Sequence, residues 1–193
     1  MRTTYLSICA LLLVLSGCAV QSVVPRIDAN IAEERNARVV KELQALGHNG
    51  DWLVARGYHA TDNIVSTLTN MPFSHAAVLD LDANQVIEAE SSGVHTTPLA
   101  AFVAKSQRIM LVRSVWAHGD SADGAVKKAR SLLGRPYDFL GLVGVNIPNE
   151  YYCSELAVEI YRSSIRSTDI IPRPVAPGQL HYWGTILFDS GAL

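Results

Sequence analysis

From Asp28 onward the apolar positions Ile31, Val39, Val40, Leu43 and Leu46 fall on one side of a helical wheel. Asp28 is a capping type at the start and Gly47 a terminating type at the end, so a helix is predicted to about Leu46. Trp52-Leu53-Val54-Ala55 reads as a strand entry, and a short helix is expected around Asp62 to Leu68, broken before Pro72. From His75 the rhythm changes. Ala76 to Leu81 is a dense apolar run, Asp82-Ala83-Asn84 supplies turn residues, and Gln85 to Glu90 forms a second strand. Ser91-Ser92-Gly93 turns the chain into a short third strand, Val94 to Thr97, followed by a short helix over Pro98 to Ala104. Arg108 to Val115 alternates as a strand, and Asp120 to Leu133 is a helix closed by Gly134. Ser154 to Tyr161 is predicted as an amphipathic helix with Leu156, Ile160 and Tyr161 on one side. The apolar stretch Phe139 to Pro148 reads first as a core strand or helix, and second as the lining of an acyl pocket or a membrane contact. One helix, several antiparallel strands, then helices again define an α+β domain over residues 28–193.

The N-terminus follows another pattern. Arg2 precedes an apolar run, Leu6 to Leu15, shorter than the about 20 residues a spanning helix needs. It fits the apolar core of a secretory signal. The run ends in Leu15-Ser16-Gly17-Cys18, which resembles the lipobox cleaved before cysteine in bacterial lipoproteins. That resemblance implies a signal peptide over residues 1–17, lipid attachment at Cys18 and a tether over residues 18–27. It also implies a place in the bacterial cell envelope. Ala19 rather than aspartate after Cys18 implies the periplasmic face of the outer membrane, for a Gram-negative source.

Composition narrows the options. The formal net charge is −2 and no basic stripe appears, which argues against a nucleic-acid partner. Of three cysteines, Cys9 leaves with the signal and Cys18 is the lipid acceptor, so Cys153 has no partner in the chain and a disulfide framework is excluded. No HExxH or Cys-x-x-Cys spacing points to a metal, no Gly-rich phosphate loop appears, and no cofactor is expected.

Cys153 sits in Tyr151-Tyr152-Cys153-Ser154-Glu155-Leu156, at the predicted start of a helix. The free amide N–H groups there favour a thiolate and can hold an oxyanion. A thiol nucleophile also needs a base and a group to orient that base. Of six histidines, His75 stands out because it opens an apolar strand. Glu88, thirteen positions on, lies on the adjoining strand, where cross-strand neighbours meet. Glu90 shares its face, and spacing does not choose between the two carboxylates.

Gly50-Asp51, Ser74-His75, Ile87-Glu88-Ala89, Gly134-Arg135-Pro136-Tyr137-Asp138 and Tyr152-Cys153-Ser154-Glu155-Leu156 occur in that order. Together they resemble the circularly permuted branch of the NlpC-type papain-like hydrolases, the YiiX/YaeF-like group, over roughly residues 48–185. The histidine strand precedes the cysteine helix, the reverse of the ordinary papain-like order. The resemblance implies a permuted papain-like fold, with an antiparallel sheet or barrel packed against helices. It implies Cys153 as nucleophile, His75 as general base, Glu88 as the best match for the third residue, and Tyr137 at the substrate or oxyanion. Asp51 and Glu155 are expected to be structural. The implied function is a membrane-anchored cysteine hydrolase acting on amide, ester or thioester bonds, with cell-wall peptide as partner. A lipid-directed acyltransferase or amidase of the lecithin–retinol acyltransferase type is the alternative, and a non-catalytic binding lipoprotein the second.

Overall fold

Asp28 caps the first helix by accepting the Asn30 N–H at 2.9 Å, and the helix α1 runs Ala29–Leu46. These details come from a computed structural model that describes residues 24–191. Cys18 and the export segment lie outside the described residues. The buried residues of α1 are Arg35, Val39 and Leu43, one every four positions, so a narrow stripe faces the sheet. Ile31 and Leu46 point to solvent instead.

Six strands follow: β1 Trp52–Gly57, β2 His75–Asp80, β3 Gln85–Glu90, β4 Gly93–Pro98, β5 Ser106–Ser114 and β6 Gly184–Asp189. They form one sheet in the order β4-β3-β2-β1-β5-β6, and every neighbouring pair is antiparallel. The central strands β1 and β2 are apolar on both faces because both faces are covered. Leu53, Ala55, Ala77, Leu79, Ile109 and Leu111 pack on α1 and on the short helix α3, Leu99–Ala104. Trp52, Val54, Ala76, Val78, Met110 and Val112 pack on the opposite layer. That layer holds α4 (Asp120–Ser131), α5 (Cys153–Glu159) and a 3-10 segment, Pro177–Trp183. The result is three layers with two apolar cores and the sheet between them.

Two expectations change, and one strand is added. Phe139 to Pro148 is neither a core strand nor a core helix. Asp138, fully buried, accepts the N–H groups of Gly141 at 2.6 Å and Ile147 at 3.1 Å, which folds the segment into a loop with a single 3-10 turn. Phe139, Leu140, Leu142, Val143 and Val145 are left exposed. Helix α5 is not amphipathic: its first six residues are all buried, because it lies between the sheet and the C-terminal segment. Strand β6 carried no strand signal in a Pro-rich and aromatic tail, and it pairs along the β5 edge.

The helix α2, Ala60–Thr69, is built differently from the rest. None of its residues is buried. It is held by polar contacts at one end: Ser74 Oγ donates to Asp62 Oδ1 at 2.6 Å, and the Arg56 guanidinium donates to the Asp62 carbonyl and to Asn63 Oδ1.

Candidate active site

The site lies at the end of β2, where the two cores meet. His75 opens β2 opposite Ala55 of β1, so its side chain points toward the core that contains Phe102, with the two rings 6.1 Å apart. Cys153 belongs to the other core, at the first position of α5, which packs on β2. The two come together only because a strand end and a helix start meet at the rim of the sheet. The imidazole and the thiol line the same cavity and lie close enough for each to shift the charge of the other. The backbone N–H groups of Ala76 and Ser154 lie near the sulfur and also favour its charged form.

Glu88 approaches His75 diagonally. The β2–β3 register places Ala77 opposite Glu88, so the residue facing His75 by extension is Glu90. Yet the carboxylate that bonds the imidazole is Glu88, with His75 Nε2 donating to Oε2 at 2.6 Å. The diagonal neighbour is within reach of a long side chain. The Glu88 side chain is fully buried, whereas that of Glu90 is 43 % exposed. Because Nε2 is engaged by Glu88, Nδ1 is the ring atom left for the thiol. The carboxylate thereby sets both the tautomer and the ring orientation.

The other oxygen of Glu88 is equally well occupied. Oε1 accepts from Thr97 Oγ1 at 2.5 Å and from Lys105 Nζ at 2.7 Å. Lys105 follows the last residue of α3 and also donates to Glu90 Oε1 at 2.7 Å. Neither Thr97 nor Lys105 stood out in the sequence. Thr97 lies two positions from His95 on the same face of β4, and His95 sits directly across from Glu88. The reach of Lys105 depends on how α3 packs, which no local pattern records.

Electrostatics follow from these contacts. Burial opposes the charge on His75, but the bonds and charges of Cys153 and Glu88 outweigh it and push the imidazole up to about 10. Burial likewise opposes ionisation of Glu88, but His75 and then Lys105 prevail and hold it at about 2. Burial raises the Cys153 thiol, but the nearby His75, together with the Ala76 and Ser154 backbone N–H groups, brings it below the ordinary thiol value. The arrangement therefore favours a thiolate–imidazolium pair.

A cavity of about 540 Å³ opens over Cys153 and His75. Tyr137 lines it, with its ring edge-on to Phe139 at 4.9 Å. Burial first, then the nearby Cys153, raise the Tyr137 phenol, so its O–H stays a donor. Ile64 and Val65 of α2 line one side, and Phe139 and Leu142 the other. Tyr137 is placed by Gly93: Val94 N–H donates to Arg135 O at 2.8 Å, and Gly134 N–H donates to Val94 O at 2.9 Å. Gly93 has φ +97°, and a Cβ there would stand 2.5 Å from the Arg135 carbonyl oxygen. Gly93→Ala is expected to lose about 1–3 kcal/mol of stability, measured by urea denaturation. It should also lower turnover, since the Tyr137 loop must shift.

The remaining sequence candidates are structural in position. Asp51 accepts the His48 N–H at 2.8 Å and pairs with Arg113 at 2.7 Å, away from the cavity. Glu155 is buried in the first turn of α5. Among the described residues, His75, Glu88 and Glu90 form a group whose possible metal-ligating atoms lie within 4.8 Å of one another. The Lys105 ammonium already sits between the two carboxylates, where a cation would go.

A histidine strand that precedes the cysteine helix, with a sheet end between them, defines a permuted papain-like fold. The chain belongs to the permuted papain-like amidase enzymes, YaeF/YiiX, C92 family, whose family model matches residues 48–172. A similar solved structure is that of the metalloprotein yiiX from Escherichia coli O157:H7. It has 22% sequence identity and a TM-score of 0.53, covering 62% of this chain and 67% of that one. This likeness concerns the fold alone. No curated protein sequence gave a match.

Proposed function

We propose that this protein is a cysteine amidase of the bacterial cell envelope, held to a membrane through lipid on Cys18, that works through Cys153, His75 and Glu88. The observation that carries the reading is that Cys153 and His75 line one open cavity while the buried Glu88 carboxylate bonds the far side of the imidazole at 2.6 Å. The Cys153 thiolate attacks a carbonyl carbon, and the developing oxyanion meets the Cys153 N–H and the Tyr137 O–H. The His75 imidazolium gives its proton to the leaving nitrogen as the C–N bond breaks. Water, deprotonated by the now neutral His75, attacks the thioester, and the carboxylic acid leaves as the thiolate returns. Glu88 keeps the ring oriented throughout.

The preferred substrate is a peptide amide of cell-wall material. A lipid acyl amide or ester is the second reading, and the exposure of Phe139, Leu142 and Ile64 around the cavity supports it. The meeting of a helix-start thiol with a carboxylate-bound imidazole at one cavity speaks against a purely binding role. Purified protein should be incubated in parallel with peptidoglycan fragments and with N-acyl and phospholipid substrates. Amide cleavage of the first set, lost in Cys153→Ala, supports the reading. Release of acyl chains alone favours the second substrate class, and no turnover of either with an unreactive thiol sinks both.

The pH dependence separates the steps. Iodoacetamide labelling needs only the thiolate, so it should rise below the ordinary thiol range near 8.5 and then stay level. Hydrolysis also needs the imidazolium, so its rate should fall again as pH passes about 10. A hydrolysis profile that keeps climbing above that point would contradict the role given to His75.

A further inference from the structure

We propose that Lys105 is a positioning residue for the reaction: its ammonium clamps Glu88 in the ionised, His75-bound arrangement and holds Glu90 out of it. This inference rests on the reading of Cys153, His75 and Glu88 as the reacting set.

The geometry leaves two carboxylates for one imidazole. Glu90 is the residue the β2–β3 register would place across from His75, and Glu88 is the diagonal one. Lys105 Nζ bridges them, 2.7 Å from an oxygen of each. With Oε1 tied to Lys105 and Thr97, Glu88 can turn only Oε2 toward the ring. The Lys105 ammonium lies over the Phe102 ring, with Nζ 5.5 Å from the ring centre, which limits where it can go. The charges facing Glu88 come from every strand and helix around it. They are His75 on β2, Glu90 on its own strand, His95 on β4 at 3.8 Å, and Lys105 after α3, with the Cys153 thiolate beyond His75. Without Lys105 nothing ties Glu88 and Glu90 apart, and the two carboxylates are left to compete for the one imidazole, so neither holds the ring in a single orientation.

The test compares Lys105→Met, which keeps the apolar stem, with Lys105→Arg, which keeps the charge. Both are assayed as the full chain with a chelator present. The readout is the pH profile of Cys153 alkylation together with kcat and KM. In Lys105→Met the acid limb should move toward neutrality by about one pH unit or more, and kcat should fall with KM little changed. Lys105→Arg should restore most of the limb. An unmoved limb in a folded Lys105→Met, with the wild-type thiol still hyper-reactive, overturns this inference and leaves the proposed reaction standing. A wild-type thiol no more reactive than free cysteine overturns the reaction itself.

Discussion

Glu88→Gln is expected to lower kcat/KM by about 10²–10⁴-fold, whereas Glu90→Gln should stay within several-fold of wild type. The asymmetry is the point of the experiment. Glu88 is buried, accepts from His75, Thr97 and Lys105, and is held ionised at about 2. Glutamine keeps the volume but removes the charge that balances the imidazolium, and its NH₂ can turn toward the ring and select the other tautomer. Glu90 is half exposed and bonded to Lys105 rather than to the ring at hydrogen-bond distance. Steady-state kinetics on the two variants, with a thermal melt to confirm folding, decides the matter. Equal losses would mean that the two carboxylates act as one unit.

His75→Ala should also be damaging, at about 10³-fold or more in turnover, equivalent to about 4 kcal/mol of transition-state stabilisation. Two functions disappear together: the imidazolium that keeps Cys153 as thiolate, and the acid that protonates the leaving group. Alkylation makes the first loss visible on its own. Near pH 6 the variant thiol should react at least tenfold more slowly than the wild type, with a profile shifted up toward that of an ordinary cysteine. A variant whose labelling profile is unchanged would show that the backbone N–H groups of Ala76 and Ser154 suffice to ionise the sulfur.

Much of the frame could be read from local chemistry. Asp28 and Gly47 bound α1 because capping and termination are decided within a few residues. The hairpin from His75 to Glu90 is legible because its turn residues and apolar runs are contiguous, and it brings His75 and Glu88 to neighbouring strands. The opaque parts share one property: their structure is set by residues far away in sequence. Strand β6 becomes a strand only because β5 offers an edge. The apolar loop after Asp138 carries the composition of a core element, but a buried carboxylate bends it outward, and composition does not record bending. The choice between Glu88 and Glu90 turns on a diagonal contact and on Lys105, seventeen positions from Glu88 and brought back by α3. Period-2 alternation treats the two carboxylates alike.

The division of the site between two cores has a further meaning for the life of the chain. Cys153 belongs to the layer of α5, and the His75–Glu88 pair to the layer of α1 and α3. Neither half, formed alone, creates a reactive sulfur. Until both layers have closed on the sheet, Cys153 is an ordinary thiol, mostly protonated near neutrality and a poor nucleophile. On the proposed reading, folding is thus the arming step. A nascent or partly unfolded molecule would then carry a quiet cysteine, and its reactivity would arrive only with the finished tertiary structure.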